Sequence, residues 1–237
     1  MLLQDIINKT KILKTDAVSW NNTLLQVLRE NHFWPAIQTK RFYNKNNLIL
    51  LHNTYKRKDV NQFKELYNEC RSVILDFSTP EVILHKAPPI PETITYDEIK
   101  NNELTECTIA YDVTTVYVYY TSEWMFSTST CTNIDYSKFN HPVKNYGAMF
   151  DEILPFSREE FKQKLNQSYV YTFGILHYDN KKYIDYTTEF GENYKKLILM
   201  GVQEKFTFKK IDTTISELSD ITIIPQKLPL QDALQLS

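Results

Sequence analysis

Glycine is scarce in this chain, and the scarcity limits which folds and ligand sites the chain can build. The 237 residues include only 4 glycines, where an average usage of ~7% would give roughly 17. Gly147, Gly174, Gly191 and Gly201 stand far apart from one another. Dinucleotide-binding loops and P-loops need clustered residues without Cβ, so that backbone N–H groups approach the phosphates. Both kinds of phosphate site are therefore excluded.

The composition is that of a folded chain that does not cross a membrane. Hydrophobic residues make up 42% and charged residues 24% of the sequence, which favours a sizeable core over disorder. No apolar run approaches the ~18 residues that a membrane helix needs, so we expect no membrane partner. The net charge of −2 argues against a strongly basic nucleic-acid surface and leaves a local basic groove open.

Cysteine and histidine usage indicates a reducing compartment and no metal site. Cys70, Cys107 and Cys131 are an odd number without a CxxC pair, and the 5 histidines form no zinc-binding pattern. The segment Met1–Lys14 mixes apolar with charged residues and does not read as a secretory signal. We expect free thiols, no metal, no cofactor and a cytoplasmic location.

The first third of the chain reads as helices and a hairpin. Apolar residues recur at helical spacing before Pro35, which ends the pattern. A hairpin is predicted over Arg41–Tyr55, and a helix over Val60–Asn68. Residues 1–67 are therefore assigned to a small N-terminal part with helices and a hairpin.

Beyond residue 67 the pattern changes to period two, with β-branched and aromatic residues. Strands are predicted at Ser72–Phe77, Val82–His85, within Cys107–Cys131, and at Tyr169–His177, Lys182–Tyr186, Lys195–Val202 and Thr222–Ile224. Helices are predicted after the capping pairs Thr95/Glu98 and Ser157/Glu160 and at Thr214–Leu218. This order predicts an α+β fold of mostly antiparallel sheets flanked by helices. The simplest partition is one domain, 1–237, with a core at 68–237.

Four segments carry motifs in a fixed order. They are Glu69-Cys70-Arg71-Ser72, then Ala110-Tyr111-Asp112-Val113-Thr114, then Phe173-Gly174-Ile175, and finally Leu197–Gln203. Over roughly Asn68 to Gln203 they resemble the nucleotidyltransferase domain of RNA ligases of the bacteriophage and tRNA-repair type. The resemblance implies an RNA ligase-like, ATP-grasp-like fold.

The resemblance also implies a nucleotide or RNA site. Its residues would be Arg71, Asp112, Thr114, Tyr117 and Phe173. Structural roles are equally open for several of them. Asp112 would then bond backbone N–H groups at a strand end, and Arg71 would pair with Asp76 or Glu69. Tyr117 and Tyr119 would then pack in the sheet, on the face opposite to Tyr120.

The departures from the family pattern fall on its chemistry. The family's lysine attacks the α-phosphate of ATP and carries AMP as a phosphoramidate, and Ala110 stands in its place. The next glycine is replaced by Val113, and the acidic residue of the Phe-Glu motif by Gly174. Ser129-Thr130 and Pro89-Ile90 stand where the family has Arg-Gly and a lysine–aromatic pair, and the chain ends at Ser237 before two later motifs. We therefore expect a pseudoenzyme without a catalytic residue.

Three functions follow from this resemblance. The first is a catalytically inactive RNA ligase-like scaffold or adaptor in a larger assembly. The many Asn, Lys, Ile, Tyr and Phe residues indicate an AT-rich genome, which would suit a virus, so this assembly could be viral. The second is a nucleic-acid or nucleotide binding module that keeps the ligase groove. The third is an active nucleotidyltransferase with a displaced lysine. A flat apolar patch would favour the first, a basic groove the second, and a lysine facing Asp112 the third.

The apolar segment Ile221–Ser237 bears on the expected partners. Open sheet edges need cover, because unpaired N–H and C=O groups promote aggregation. This segment either covers such an edge itself or docks on another chain. A protein partner or a homo-oligomer is expected, with RNA as the further candidate.

Overall fold

The computed structural model describes residues 3–11, 17–42, 45–54, 60–77, 81–84, 106–138, 143–181, 183–212, 218–229 and 232. These residues form the expected α+β fold. Its helices are α1 (Leu3–Lys11), α2 (Ala17–Glu30), α3 (Lys64–Glu69), α4 (Tyr146–Ile153), α5 (Arg158–Gln163) and α6 (Thr187–Phe190), with 3-10 turns at Val60–Phe63, Ile134–Tyr136 and Tyr178–Asn180. None of the helices in these ranges is long and apolar enough to cross a membrane.

The described strands form antiparallel sheets of four, five and two strands. The four-stranded sheet has the order β1 (Ile37–Phe42), β2 (Lys45–Asn53), β3 (Val73–Asp76), β4 (Glu81–Leu84). The five-stranded, central sheet has the order β10 (Lys210–Ile211), β9 (Lys195–Glu204), β8 (Tyr169–His177), β6 (Thr114–Tyr120), β7 (Trp124–Ser127). The third sheet pairs β11 (Lys227–Pro229) with β5 (Glu106–Thr108).

The four-stranded sheet is covered on one face by the N-terminal helices. Ile6 and Leu24 of these helices share a buried cluster with Leu51 of β2. The predicted hairpin is present, but it spans Ile37–Asn53 rather than Arg41–Tyr55. The helix predicted over Val60–Asn68 is a 3-10 turn followed by α3. The boundary expected after residue 67 runs through this sheet, because β2 pairs with β3. The assignment of the whole chain to one domain stays a prediction.

Strands β6 and β8 of the central sheet are buried on both faces over most of their length. Val116 and Val118 of β6 pack in a cluster with Phe150 of α4 and Phe161 of α5. The alternate residues Tyr117 and Tyr119 pack against the four-stranded sheet. The buried residues of this cluster are Phe42, Leu48, Leu50, Ile74, Tyr117, Tyr119 and Val170. The two tyrosines therefore share one face as predicted, because strand side chains alternate.

Of the two helices α4 and α5 on the central sheet, the sequence analysis predicted only α5. The capping box predicted from Ser157 and Glu160 is present at the start of α5. Helix α4 was not predicted, although Asn145 caps it by accepting from the N–H of Ala148 at 2.8 Å. Its apolar residues Tyr146, Met149, Phe150 and Ile153 stand at helical spacing, and this signal would have revealed the helix.

Two predicted strands are wrong in the described residues. Residues 183–186 form a loop followed by α6 instead of the strand expected at Lys182–Tyr186. The strand expected at Thr222–Ile224 is reduced to a single parallel bridge between Ile223 and Ile198. Some predictions lie outside the described residues, namely the Pro89-Ile90 pair, the capping pair Thr95/Glu98 and all but the last residue of the helix at Thr214–Leu218.

The C-terminal segment covers sheet edges within this chain. The N–H of Ile223 donates to the carbonyl of Leu197, and the N–H of Leu199 donates to the carbonyl of Ile223, each at 2.8 Å. Further along, β11 pairs with β5. The apolar C-terminal segment thus covers sheet edges of its own chain, which is one of the two arrangements expected from the sequence.

Candidate functional site

Asp112 anchors a neighbouring loop with its carboxylate. It lies between β5 and β6, and its Oδ2 accepts hydrogen bonds from the N–H groups of Tyr183 at 2.8 Å and Ile184 at 3.2 Å. Its own N–H donates to the hydroxyl of Tyr186 at 2.7 Å. This geometry matches the structural role left open for Asp112 in the sequence. It also explains why residues 183–186 form a loop, since two of their amides bond a side chain instead of a sheet.

Val113 and Gly174 fit together at the start of β6. A Cβ placed on Gly174 would lie 2.6 Å from Cγ2 and 2.9 Å from Cβ of Val113, distances that real Cβ atoms do not adopt. Val113 is packed in a cluster with Leu176 and Ile198. The valine side chain thus occupies the space beside Gly174, and only glycine fits opposite it.

An aromatic group surrounds this contact. The ring centroids of Tyr111, Tyr186 and Phe190 lie 5.9 to 6.5 Å apart, and Tyr194 meets Tyr186 edge-on at 6.3 Å. Burial is the main cause that raises the pKa of both Tyr111 and Tyr194. The neutral phenols and the apolar side chains leave this end of the sheet filled by the chain itself.

Ala110 is exposed on the loop before Asp112 and carries a methyl group without nucleophilic character. One lysine does reach the same face of the sheet. Lys196 stands two residues from Ile198, which pairs with Gly174, so it projects to the same side. Its Nζ lies 6.0 Å from the ring centre of Phe190. Among the described residues, Lys196 is therefore the lysine that an active nucleotidyltransferase with a displaced lysine would use.

Exposed apolar side chains occur in the two segments that Asp112 joins. Ile109, Tyr183 and Ile184 are 39%, 95% and 50% exposed, respectively, and the last two are held by Asp112. We call Ile109, Ala110, Tyr183 and Ile184 the apolar surface. Carboxylates border it: Asp185 adjoins Ile184 and pairs with Lys181 at 2.8 Å, and the charge of Glu189 acts on Tyr111.

The charge of Arg71 acts on Tyr117, which lies between the two large sheets. Tyr117 is buried, which raises the pKa of its hydroxyl, and the nearby Arg71 charge opposes that rise. Arg71 is half-buried and precedes Ser72, whose left-handed φ of 70° turns the chain into β3. The Ser72 hydroxyl donates to the carbonyl of Ser129 at 2.8 Å, which ties the two sheets together.

A strip of the central sheet beside Arg71 is open. Thr172 pairs with Tyr117 on one side and with Gly201 on the other. No atom of the described residues lies within 4 Å of a Cβ placed on Gly201. Paired residues point to the same face, so this open strip continues from the Arg71 and Tyr117 side.

Thr114 and Phe173 lie on the opposite face of the central sheet. Phe173 is fully buried with Phe150 and Phe161 under the helices. Thr114 is buried, and its hydroxyl accepts from Nδ2 of Asn180 at 2.8 Å. The five residues expected in one site are therefore divided between two faces, because neighbouring strand residues point in opposite directions. Their binding role stays a prediction.

The side chains that could bind a metal ion are not clustered in the described part of the chain. No group of three or more His, Cys, Asp or Glu side chains in those ranges is placed to hold a metal ion.

The fold is similar to that of ATP-dependent ligases. An archaeal ATP-dependent RNA ligase aligns with a TM-score of 0.53 and 14% identity, over 100% of this chain and 56% of the ligase. A putative ATP-dependent DNA ligase from Aquifex aeolicus aligns with a TM-score of 0.48 and 8% identity, over 86% of this chain and 50% of the ligase. This chain thus spans about half the length of these ligases.

Sequence comparison matches the chain to no protein family and to no curated protein. At 14% identity the likeness to the archaeal RNA ligase concerns the fold alone, and it confirms the RNA ligase-like fold expected from the sequence.

The contact between Val113 and Gly174 predicts a strong coupling between the two positions. Gly174→Ala should lower the free energy of unfolding by about 1–3 kcal/mol, because the added Cβ overpacks the core. In a Val113→Gly background the same change should cost at least ~1 kcal/mol less, as measured by urea unfolding of the double-mutant cycle. Gly201→Ala is the control, since its Cβ meets open space. Equal costs of Gly174→Ala in both backgrounds would contradict the contact.

Proposed function

We propose that this chain is an RNA ligase-like module that does not transfer nucleotides and serves as a scaffold or adaptor in a larger assembly. The observation that carries the proposal is the filled end of the sheet at Asp112. Val113 occupies the space beside Gly174, and Asp112 holds the 183–186 loop by its amides. The free thiols of Cys70, Cys107 and Cys131 suit a reducing setting, cytoplasmic or viral.

Covalent nucleotidyl transfer needs a nucleophile and room for a nucleotide beside it. Ala110 offers no nucleophile at the position where the resembling family has its lysine. The resemblance implies a nucleotide site at this end of the sheet, and here the valine methyl groups pack with the aromatic rings in one cluster. Asp112 directs its Oδ2 to backbone amides, which leaves that oxygen engaged within the fold.

The apolar surface suggests the chemistry of a partner. Exposed apolar side chains grouped together mark interaction sites in proteins. The carboxylates of Asp185 and Glu189 border the group, so we propose a protein partner that inserts an apolar segment flanked by Lys or Arg. A second copy of this chain would bring the same carboxylates against each other, which is unfavourable.

The first test asks whether the chain forms a covalent bond to AMP. The full chain is incubated with ATP and Mg²⁺, and intact-protein mass spectrometry is compared with an ATP-free control. We expect no AMP-bearing species, because no lysine stands at position 110. An adduct that maps to Lys196 and disappears in Lys196→Arg would overturn the proposal in favour of an active transferase.

The second test probes the apolar surface with synthetic peptides that have an apolar centre and either basic or acidic flanks. Fluorescence anisotropy should show binding of the basic-flanked peptides only. The variant Tyr183→Ser/Ile184→Ser should weaken that binding by about tenfold or more, a typical cost of losing anchor residues. Tyr136→Ser is the matched control, since Tyr136 is exposed outside the apolar surface.

Two outcomes of this second test count against the proposed partner. Equal binding of acidic-flanked peptides would remove the electrostatic argument. A concentration-dependent dimer in light scattering that disappears in Tyr183→Ser/Ile184→Ser would identify a homo-oligomer as the occupant instead.

A nucleic-acid binding module is the second candidate, favoured by Arg71 beside the open strip at Thr172 and Gly201. For this candidate we expect submicromolar binding of labelled single-stranded or nicked duplex RNA that weakens steeply with salt, because phosphate neutralisation releases counterions. Arg71→Ala should weaken binding, and Arg41→Ala, an exposed arginine of β1, is the control. Absence of binding at low salt would exclude this role.

A further inference from the structure

His177 is a buried histidine whose ring tautomer is set by its hydrogen bonds. It is the last residue of β8 and 1% exposed. Its Nδ1 accepts a hydrogen bond from the N–H of Asp179 at 3.1 Å, which caps the 3-10 turn Tyr178–Asn180. A nitrogen that accepts cannot carry a proton. The ring proton therefore sits on Nε2, which faces Oε2 of Glu152 at 3.3 Å.

The charged groups around His177 already balance one another. Glu152 of α4 pairs with Lys144 at 2.8 Å and with Lys195 of β9 at 3.0 Å. Lys144 also pairs with Asp179 at 2.7 Å. Two ammonium groups and two carboxylates thus surround a neutral imidazole. Burial is the largest influence and lowers the pKa of His177, while the two carboxylates oppose that shift.

The capped turn leads directly to the Asp112 site. Tyr178 stacks on the imidazole with ring centroids 4.6 Å apart. Asn180, at the end of the turn, is buried and donates to the hydroxyl of Thr114 at 2.8 Å. Three residues later the 183–186 loop bonds Asp112. The cap, the turn and the loop therefore form one continuous connection between His177 and Asp112.

We propose that His177 is a pH-sensitive cap, and that proton uptake at Nδ1 in mildly acidic solution frees the amide of Asp179 and loosens the turn Tyr178–Asn180 together with the 183–186 loop that follows it. The step is the binding of one proton from water. Protonated Nδ1 is a donor and can no longer accept from the N–H of Asp179, so the capping bond is lost. The added proton then faces Oδ2 of the Asp179 side chain, 3.9 Å from Nδ1. The turn then loses the contact that fixes the amide of Asp179, while the N–H of Tyr178 still donates to the carbonyl of Tyr194 at 3.0 Å.

The direction of the pH effect follows from the lowered pKa of His177. A histidine with a lowered pKa in the folded state contributes stability above its unfolded value of about 6.5. That contribution is lost as the pH falls from about 6.5 through the folded value. The inference does not depend on the proposed function, because no partner and no nucleotide takes part.

The test is hydrogen–deuterium exchange of the full chain at pH values of about 7.5 and 5.5, corrected for the intrinsic pH dependence of exchange. We expect protection of the amides at 178–186 to fall at least tenfold at the lower pH. His177→Asn keeps a short capping acceptor that does not titrate, so its protection should not change with pH. His32→Asn is the control, since His32 is exposed with a φ of 59°, which asparagine tolerates.

A pH response that persists unchanged in His177→Asn would overturn the proposal, as would constant protection in the wild-type chain. Should His177→Asn fail to fold, NMR of the wild-type imidazole decides the matter. We expect the Nε2–H tautomer at neutral pH and loss of Asp179 amide protection along the same titration curve as His177. An Nδ1–H tautomer at neutral pH would exclude the cap.

Discussion

The structure depends on the burial of both faces of the central sheet. Strands β6 and β8 place alternate side chains against the helices α4 and α5 on one face and against the four-stranded sheet on the other. Hydrophobic burial is the main favourable term in folding. A one-residue shift of either strand would expose the side chains of both buried clusters, so the strand register is fixed. This constraint fixes which residues of the resembling family's motifs meet. Arg71 and Tyr117 come together, while Phe173 is enclosed beneath the helices.

The same constraint makes the end of the sheet at Asp112 a packed region. The resemblance aligns Val113 with a glycine and Gly174 with an acidic residue, and these two departures complement each other in space. The Val113 side chain needs a neighbour without Cβ, and Gly174 provides it. Two substitutions that look like separate losses in the sequence therefore form one contact. This contact is the physical basis for proposing a module that keeps the fold and uses its surface.

The segment between β8 and β9 runs from a buried part of the fold to the exposed side chains of Tyr183 and Ile184. It begins at the His177 cap, continues through buried Asn180, and reaches the two amides on Asp112. Each bond joins this connection to a different element: the end of β8, the start of β6 and the loop before it. Tyr183 and Ile184 stay exposed because their backbone, rather than their side chains, is held. The apolar surface is thus built on a loop positioned by polar contacts.

The sequence by itself determined the elements whose signals are local. Periodicity predicted most strands of the central sheet, a capping box predicted α5, and motif order predicted the ligase-like fold. It did not determine which motif residues share a face, because one-residue alternation and strand pairing act between distant segments. The strand expected at Lys182–Tyr186 failed for a similar reason: Asp112, 71 positions from Tyr183, takes its amide. Only the tertiary structure decided that Val113 meets Gly174, because the pairing of β6 with β8 brings these distant positions together.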